Sequence, residues 1–172
     1  MHIVPTPVVL DTNTVMALWW FDDPRLHRLR IAVASSELHP LCRPDALDEL
    51  EAVLAYRQFG ITPERQQSLL QAYRRQCAQL SGAEPLPPLP RCRDRDDQKF
   101  LEIAAAGKAA ILITRDKALL RLNRHRLIRP LFRIVTPERF CVELAPKEND
   151  TPAHTTVTEA CASRTQKSYS AS

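Results

Sequence analysis

The chemistry this chain offers lies in four acidic positions. They are Asp11 in Leu10-Asp-Thr-Asn13, Glu49 or Glu51 in Glu49-Leu-Glu-Ala-Val-Leu54, Asp97 in Asp94-Arg-Asp-Asp-Gln-Lys-Phe-Leu101, and Asp116 in Ile113-Thr-Arg-Asp116. Carboxylates that converge with no histidine or reactive cysteine beside them make an all-oxygen site, which suits a hard cation such as Mg²⁺ or Mn²⁺. Such an ion deprotonates and orients a water and offsets charge on a phosphorane-like transition state, the chemistry of phosphodiester hydrolysis. Without the ion the acids repel, and at least one pKa rises. Other chemistries lack their residues. Gly60, Gly82 and Gly107 are the only glycines, too few and too scattered for a dinucleotide fingerprint or a phosphate-cradling loop. The five cysteines (42, 77, 92, 141, 161) form no C-x-x-C pair and the five histidines no H-x-x-x-H pair. A zinc site or disulfide framework is not expected, and the chain reads as reduced and cytoplasmic.

The elements that must position these acids alternate in type. Pro7-Val-Val-Leu10 reads as a buried strand, followed by helices over Asn13 to Phe21 and Pro24 to Leu38, broken at Asp22-Asp23-Pro24. His39 to Cys42 reads as a short strand and Asp45 to Arg57 as a helix stopping near Gly60. Thr62 caps a helix that has Pro63 in its first turn and runs to about Leu80. Past the stiff loop of Pro85, Pro87, Pro88 and Pro90 come a helix over Asp96 to Ala106 and a strand over Ala110 to Thr114. A helix around Lys117 to Asn123, a strand over Phe132 to Val135 and a closing helix over Pro137 to Leu144 complete the pattern. Such alternation predicts an α/β fold with a central parallel sheet covered on both faces.

From Ala145 the composition changes: nine of the last 28 residues are Ser or Thr and none is Leu, Ile, Phe, Met or Trp. That segment cannot bury enough apolar area to offset chain entropy. The expected organisation is therefore one folded unit over 1–144 and a disordered tail over 145–172. The longest apolar run, Val15 to Phe21, has seven residues, far short of the ~20 needed to span a bilayer, so no membrane association is expected.

In an open parallel sheet, chemistry gathers at the carboxyl ends of the strands. Asp11 follows the first strand and Asp116 the Ala110 to Thr114 strand, so both fall on one edge, although each is also a good helix N-cap. Asp97 heads the stripe Phe100, Leu101 and Ala104, at i+3, i+4 and i+7, which turns it toward the sheet. The competing reading is that it bonds local N–H groups, with Asp94 and Asp96 as solvated neighbours. On the helix after Asp45, Glu49 and Glu51 lie about 100° to either side of the apolar stripe, and the helical wheel does not choose between them.

Val8-Val-Leu-Asp-Thr-Asn13, Glu49-Leu-Glu-Ala-Val-Leu54, Asp94-Arg-Asp-Asp-Gln-Lys-Phe-Leu101 and Ile113-Thr-Arg-Asp116, in this order and spacing across residues 6–144, resemble the PIN-domain nucleases. The resemblance is nearest to the branch regarded as toxins of toxin–antitoxin pairs. It implies a three-layer α/β/α fold and a Mg²⁺- or Mn²⁺-dependent ribonuclease site. The family's acids fall on Asp11, Glu49, Asp97 and Asp116, with Asp11, Asp97 and Asp116 as metal ligands. Thr114 supplies the accompanying hydroxyl, Asp94 matches a further frequent acid, and Asn13 matches a polar residue that orients the first Asp. The chain departs from the family at Arg115, where a small residue is frequent, in the bulky Trp19-Trp20-Phe21, and in its tail. None of these removes an acid.

Arg115 to Arg133 holds seven Lys or Arg against the single acid Asp116. This run begins at the proposed site, and Arg115, Lys117 and Arg121 are its candidate contacts to an RNA backbone. Arg91, Arg93 and Arg95 flank the other acids. Trp19 and Trp20 are candidates for base stacking or for docking an antitoxin protein or a second subunit, partners that the resemblance implies. Two other readings are a phosphatase with Asp11 as nucleophile, which wants an acid where Asn13 stands, and a catalytically silent PIN-like RNA-binding or scaffolding module.

Overall fold

Val8 and Val9 are both fully buried, although alternate residues of a strand face opposite sides of a sheet. The strand β1 (Thr6–Leu10) must therefore be covered on both faces. It is the centre of a five-stranded, all-parallel sheet of order β3-β2-β1-β4-β5. The others are β2 (Leu38–Cys42), β3 (Ala78–Gln79), β4 (Ile111–Ile113) and β5 (Arg133–Val135). The computed structural model describes residues 5–144; the expected tail at 145–172 lies outside the described residues.

Two cores sandwich the sheet. On one face Val8, Leu10, Ile111 and Ile113 pack under α1 (Thr12–Trp19), α2 (His27–Ala34), α3 (Pro44–Leu54), α4 (Pro63–Gln76) and α7 (Pro137–Glu143). On the other, Val9, Leu41, Leu112 and Ile134 pack under α5 (Gln98–Ala106) and α6 (Lys117–Leu122). This is the expected three-layer α/β/α arrangement. Gly107 closes α5 where a Cβ would stand 2.4 Å from Leu41 Cδ1, so any side chain there would have to displace that buried leucine methyl from the sheet. Among the described residues no helix is long and apolar enough to cross a membrane.

Several expected boundaries move. The helix expected over Pro24 to Leu38 is a single 3-10 turn, Pro24–Leu26, followed by α2, which stops at Ala34; Leu38 already belongs to β2. The helix from Asp45 ends at Leu54, and Arg57–Phe59 is a separate 3-10 turn. The helix expected to reach Leu80 ends at Gln76. Cys77 is extended (φ −99°, ψ 141°), and Ala78 and Gln79 pair with Leu41 and Cys42. Sheet pairing overrides helix propensity there. α5 starts at Gln98 because the Asp94 carboxylate takes the Asp96 N–H at 2.9 Å, folding 94–96 into a side-chain turn that competes with the helix.

Candidate active site

Leu10 and Ile113 are register partners in adjacent strands, so the residues leaving β1 and β4 emerge side by side. Asp11 caps α1: its Oδ1 accepts the Thr14 N–H at 2.7 Å. Its Oδ2 accepts the Thr114 hydroxyl at 2.5 Å, across 103 residues of sequence. Asp116 caps α6, with Oδ1 accepting the N–H groups of Ala118 (2.7 Å) and Leu119 (2.8 Å). The Asp116 N–H in turn donates to Thr114 Oγ1 at 2.9 Å. Both aspartates are thus helix caps, and the sheet brings the two caps to one place with the Thr114 hydroxyl between them. Asp11 is 4% exposed. Burial pushes its pKa above the ordinary range, against the pull of its bonds from Thr114 and Thr14.

Asp97 stands at the N-cap of α5, yet its side chain caps nothing. Its carboxyl is pushed up to about 6, first by burial and then by the charges of Asp116, Asp94, Asp11 and Glu49. A carboxylate that is half-buried, held in the field of four others and without a capping bond is not a structural cap. The local reading is excluded for its side chain.

Glu49 and Glu51 are placed differently, and Glu49 is the one whose charge reaches Asp97. Glu51 is exposed, whereas Glu49 is half-buried and its Oε2 lies 2.5 Å from Lys99 Nζ. Lys99 comes from the first turn of α5 and also donates to the Asp96 carbonyl at 2.7 Å. Beside it, Gln98 Oε1 accepts the Cys92 N–H at 2.7 Å, tying the loop before α5 to the helix. Lys99 and Gln98 did not emerge as site residues from the sequence, although both lie in the Gln98-Lys-Phe-Leu101 stretch that marks Asp97. Asn13 and Asp94 are exposed. Asp94 adds its charge to the field at Asp97, while its Oδ1 is occupied by the Asp96 N–H.

An open groove of about 810 Å³ is lined by Asp116 and the start of α6 (Lys117, Ala118 and Arg121) and by Arg93, Asp94, Arg95 and Asp96, so that its four basic groups alternate with acids. Lys117 and Arg121 are one helical turn apart on α6, so they present their charges along one line. Arg115 stands apart from this groove. Its guanidinium bonds Glu138 Oε1 at 2.8 Å and Asp23 Oδ2 at 3.0 Å, bracing the start of α7 against the turn after α1. Trp19 and Trp20 are both partly buried against the core, with Trp19 edge-on to Tyr73 at 5.1 Å; Phe21 is the exposed aromatic, at 57%.

The donor set fits a hard divalent cation. Every candidate ligand is a carboxylate oxygen, and the mutual repulsion recorded at Asp97 is what such a charge relieves. As placed, no three of the described His, Cys, Asp or Glu side chains close around a common point. Asp11, Asp97 and Asp116 are the residues that would hold the ion. The family model for the PIN domain matches residues 7–118. The chain belongs to the PIN-domain family. The match takes in all four acids, and PIN domains are typically metal-dependent nucleases, which agrees with the donor chemistry. Comparison with curated proteins gives no match.

Proposed function

We propose that this PIN domain is a metal-dependent endoribonuclease, the toxin of a toxin–antitoxin pair, that hydrolyses RNA phosphodiester bonds at Asp11, Glu49, Asp97 and Asp116. The observation that carries this reading is Asp97, an acid free of capping bonds and pushed up to about 6 among the charges of the other three and Asp94. Mg²⁺ or Mn²⁺ bound by Asp11, Asp97 and Asp116 would lower the pKa of a water and offset charge on the transition state. The chain's own part is positional. Thr14 and Thr114 fix both oxygens of Asp11, and the first turn of α6 fixes Asp116. Asp97, pushed up to about 6 without the ion, would be held ionised as a ligand once the ion is bound. Arg93, Arg95, Lys117 and Arg121 grip phosphates along the groove and so set the register of the strand over the acids. The toxin role rests on the motif resemblance. An antitoxin protein and a second copy of the chain are the partners that go with it.

The test is cleavage of a mixed RNA pool by purified protein in Mn²⁺, Mg²⁺ or EDTA, beside Asp97→Asn. Metal-dependent cutting that the variant loses supports the reading. Folded protein that cuts nothing in either metal overturns it in favour of a silent RNA-binding module.

A further inference from the structure

The Lys99 ammonium is the only cationic group that an ion pair places against one of the four candidate acids among the described residues. It is held from two sides, by Glu49 Oε2 at 2.5 Å and by the Asp96 carbonyl at 2.7 Å. Its side chain is only 14% exposed and that of Glu49 29%. Partial burial makes the pair stronger than a surface ion pair, because less water screens it. The two partners come from different helices, α3 and α5. A second link joins the same helices, since Arg43, at the N-cap of α3, reaches Glu102 of α5 at 3.0 Å. The ammonium is therefore held between α3 and the start of α5.

A carboxylate oxygen in contact with an ammonium has its charge answered there. A divalent ion brought to the same oxygen would face the ammonium at a few ångströms and be repelled, a strong effect in a partly desolvated site. Among the described residues, no ion pair places a cation against the remaining acids, Asp11, Asp97 and Asp116. We propose that Lys99 is a positioning residue of the site: it occupies the cation's place at Glu49, so that the cluster takes one divalent ion, at Asp11, Asp97 and Asp116, and not two. This inference rests on the metal-nuclease reading above and deepens it, because it assigns Glu49 to the lysine and not to the metal.

The experiment counts Mn²⁺ ions bound per chain by calorimetry and by electron paramagnetic resonance on the full chain, without RNA. Wild type binds one ion. Lys99→Met, which keeps the length of the side chain and removes the charge, binds two, and the double variant Lys99→Met/Glu49→Gln returns to one. Lys99→Arg keeps one. Glu49→Gln alone leaves the affinity for the single ion within about threefold of wild type, whereas Asp97→Asn weakens it at least tenfold. If Lys99→Met does not fold, as judged by its melting curve, the comparison of Glu49→Gln with Asp97→Asn decides alone. Two ions in wild type, one in folded Lys99→Met, or equal weakening by Glu49→Gln and Asp97→Asn overturns the inference while leaving the nuclease reading in place. No Mn²⁺ bound by folded wild type overturns both.

Discussion

The Thr114 hydroxyl donates to Asp11 Oδ2 at 2.5 Å and so ties the end of β4 to the end of β1, beside two of the three candidate metal-binding aspartates. The same oxygen accepts the Asp116 N–H. One buried hydroxyl thus holds two acids in register, and its loss touches both. Thr114→Val leaves the Asp11 carboxylate short of a donor and the Asp116 N–H short of an acceptor, at a cost of about 1–3 kcal/mol. The expected result is a lower urea midpoint and a loss of cleavage, with Thr114→Ser close to wild type in both. A valine variant with wild-type stability and activity would show that the hydroxyl is idle.

Asp11 and Asp116 serve as helix caps as well as candidate ligands, and asparagine caps about as well as aspartate. Asp11→Asn and Asp116→Asn should therefore keep the fold, seen as an unchanged far-ultraviolet spectrum, while cleavage falls by about 10²-fold or more. Activity retained in both variants would refute the assigned site.

The raised pKa of Asp97 gives a pH dependence with a definite sign. Its folded-state value, about 6, lies above the ordinary 3.8. The carboxyl is therefore at ease in the fold below pH 4, and the stability it lends is lost as pH rises through about 6. Metal-free Asp97→Asn should gain on wild type across pH 4 to 7, by about 1 kcal/mol once solvent screening of this half-buried group is allowed for. Chemical denaturation at pH 4.5 and pH 7.5 in EDTA checks this. Equal differences at the two pH values would contradict the raised pKa.

The basic groove and Arg115 should respond differently. Lys117→Ala and Arg121→Ala are each expected to weaken RNA binding and to lower the slope of log affinity against log salt by about 0.7 to 1. Arg115→Ala, which breaks its bonds to Glu138 and Asp23, should instead lower the melting temperature and leave the salt slope unchanged. Fluorescence anisotropy with a labelled RNA in EDTA separates the two cases.

What the sequence carries well is the sheet and the edge on which the acids sit. Pro7 to Leu10 and Ile111 to Thr114 are apolar runs short enough to be strands, and an aspartate follows each closely. Asp97 is legible because its spacing to Phe100 and Leu101 fixes its face. Glu49 is not legible from helical spacing, since the wheel treats Glu51 alike; the motif resemblance picks Glu49, and its contact with Lys99, on another helix, sets it apart in the fold. The two-residue strand β3 leaves no pattern of its own, and its pairing with Leu41 and Cys42 is a tertiary fact. Arg115 reads as part of a basic run until Glu138 and Asp23, both distant in sequence, are seen to claim it.

The bond between Thr114 and Asp11 also bears on how the molecule is made. Asp11 is synthesised 103 residues before its partner, some 5 to 20 s at ordinary elongation speeds. Until β4 has left the ribosome and joined β1, no growing chain contains the assembled acid cluster. The cutting capacity proposed for this protein therefore belongs to the folded domain and to no shorter stretch that ends before β4.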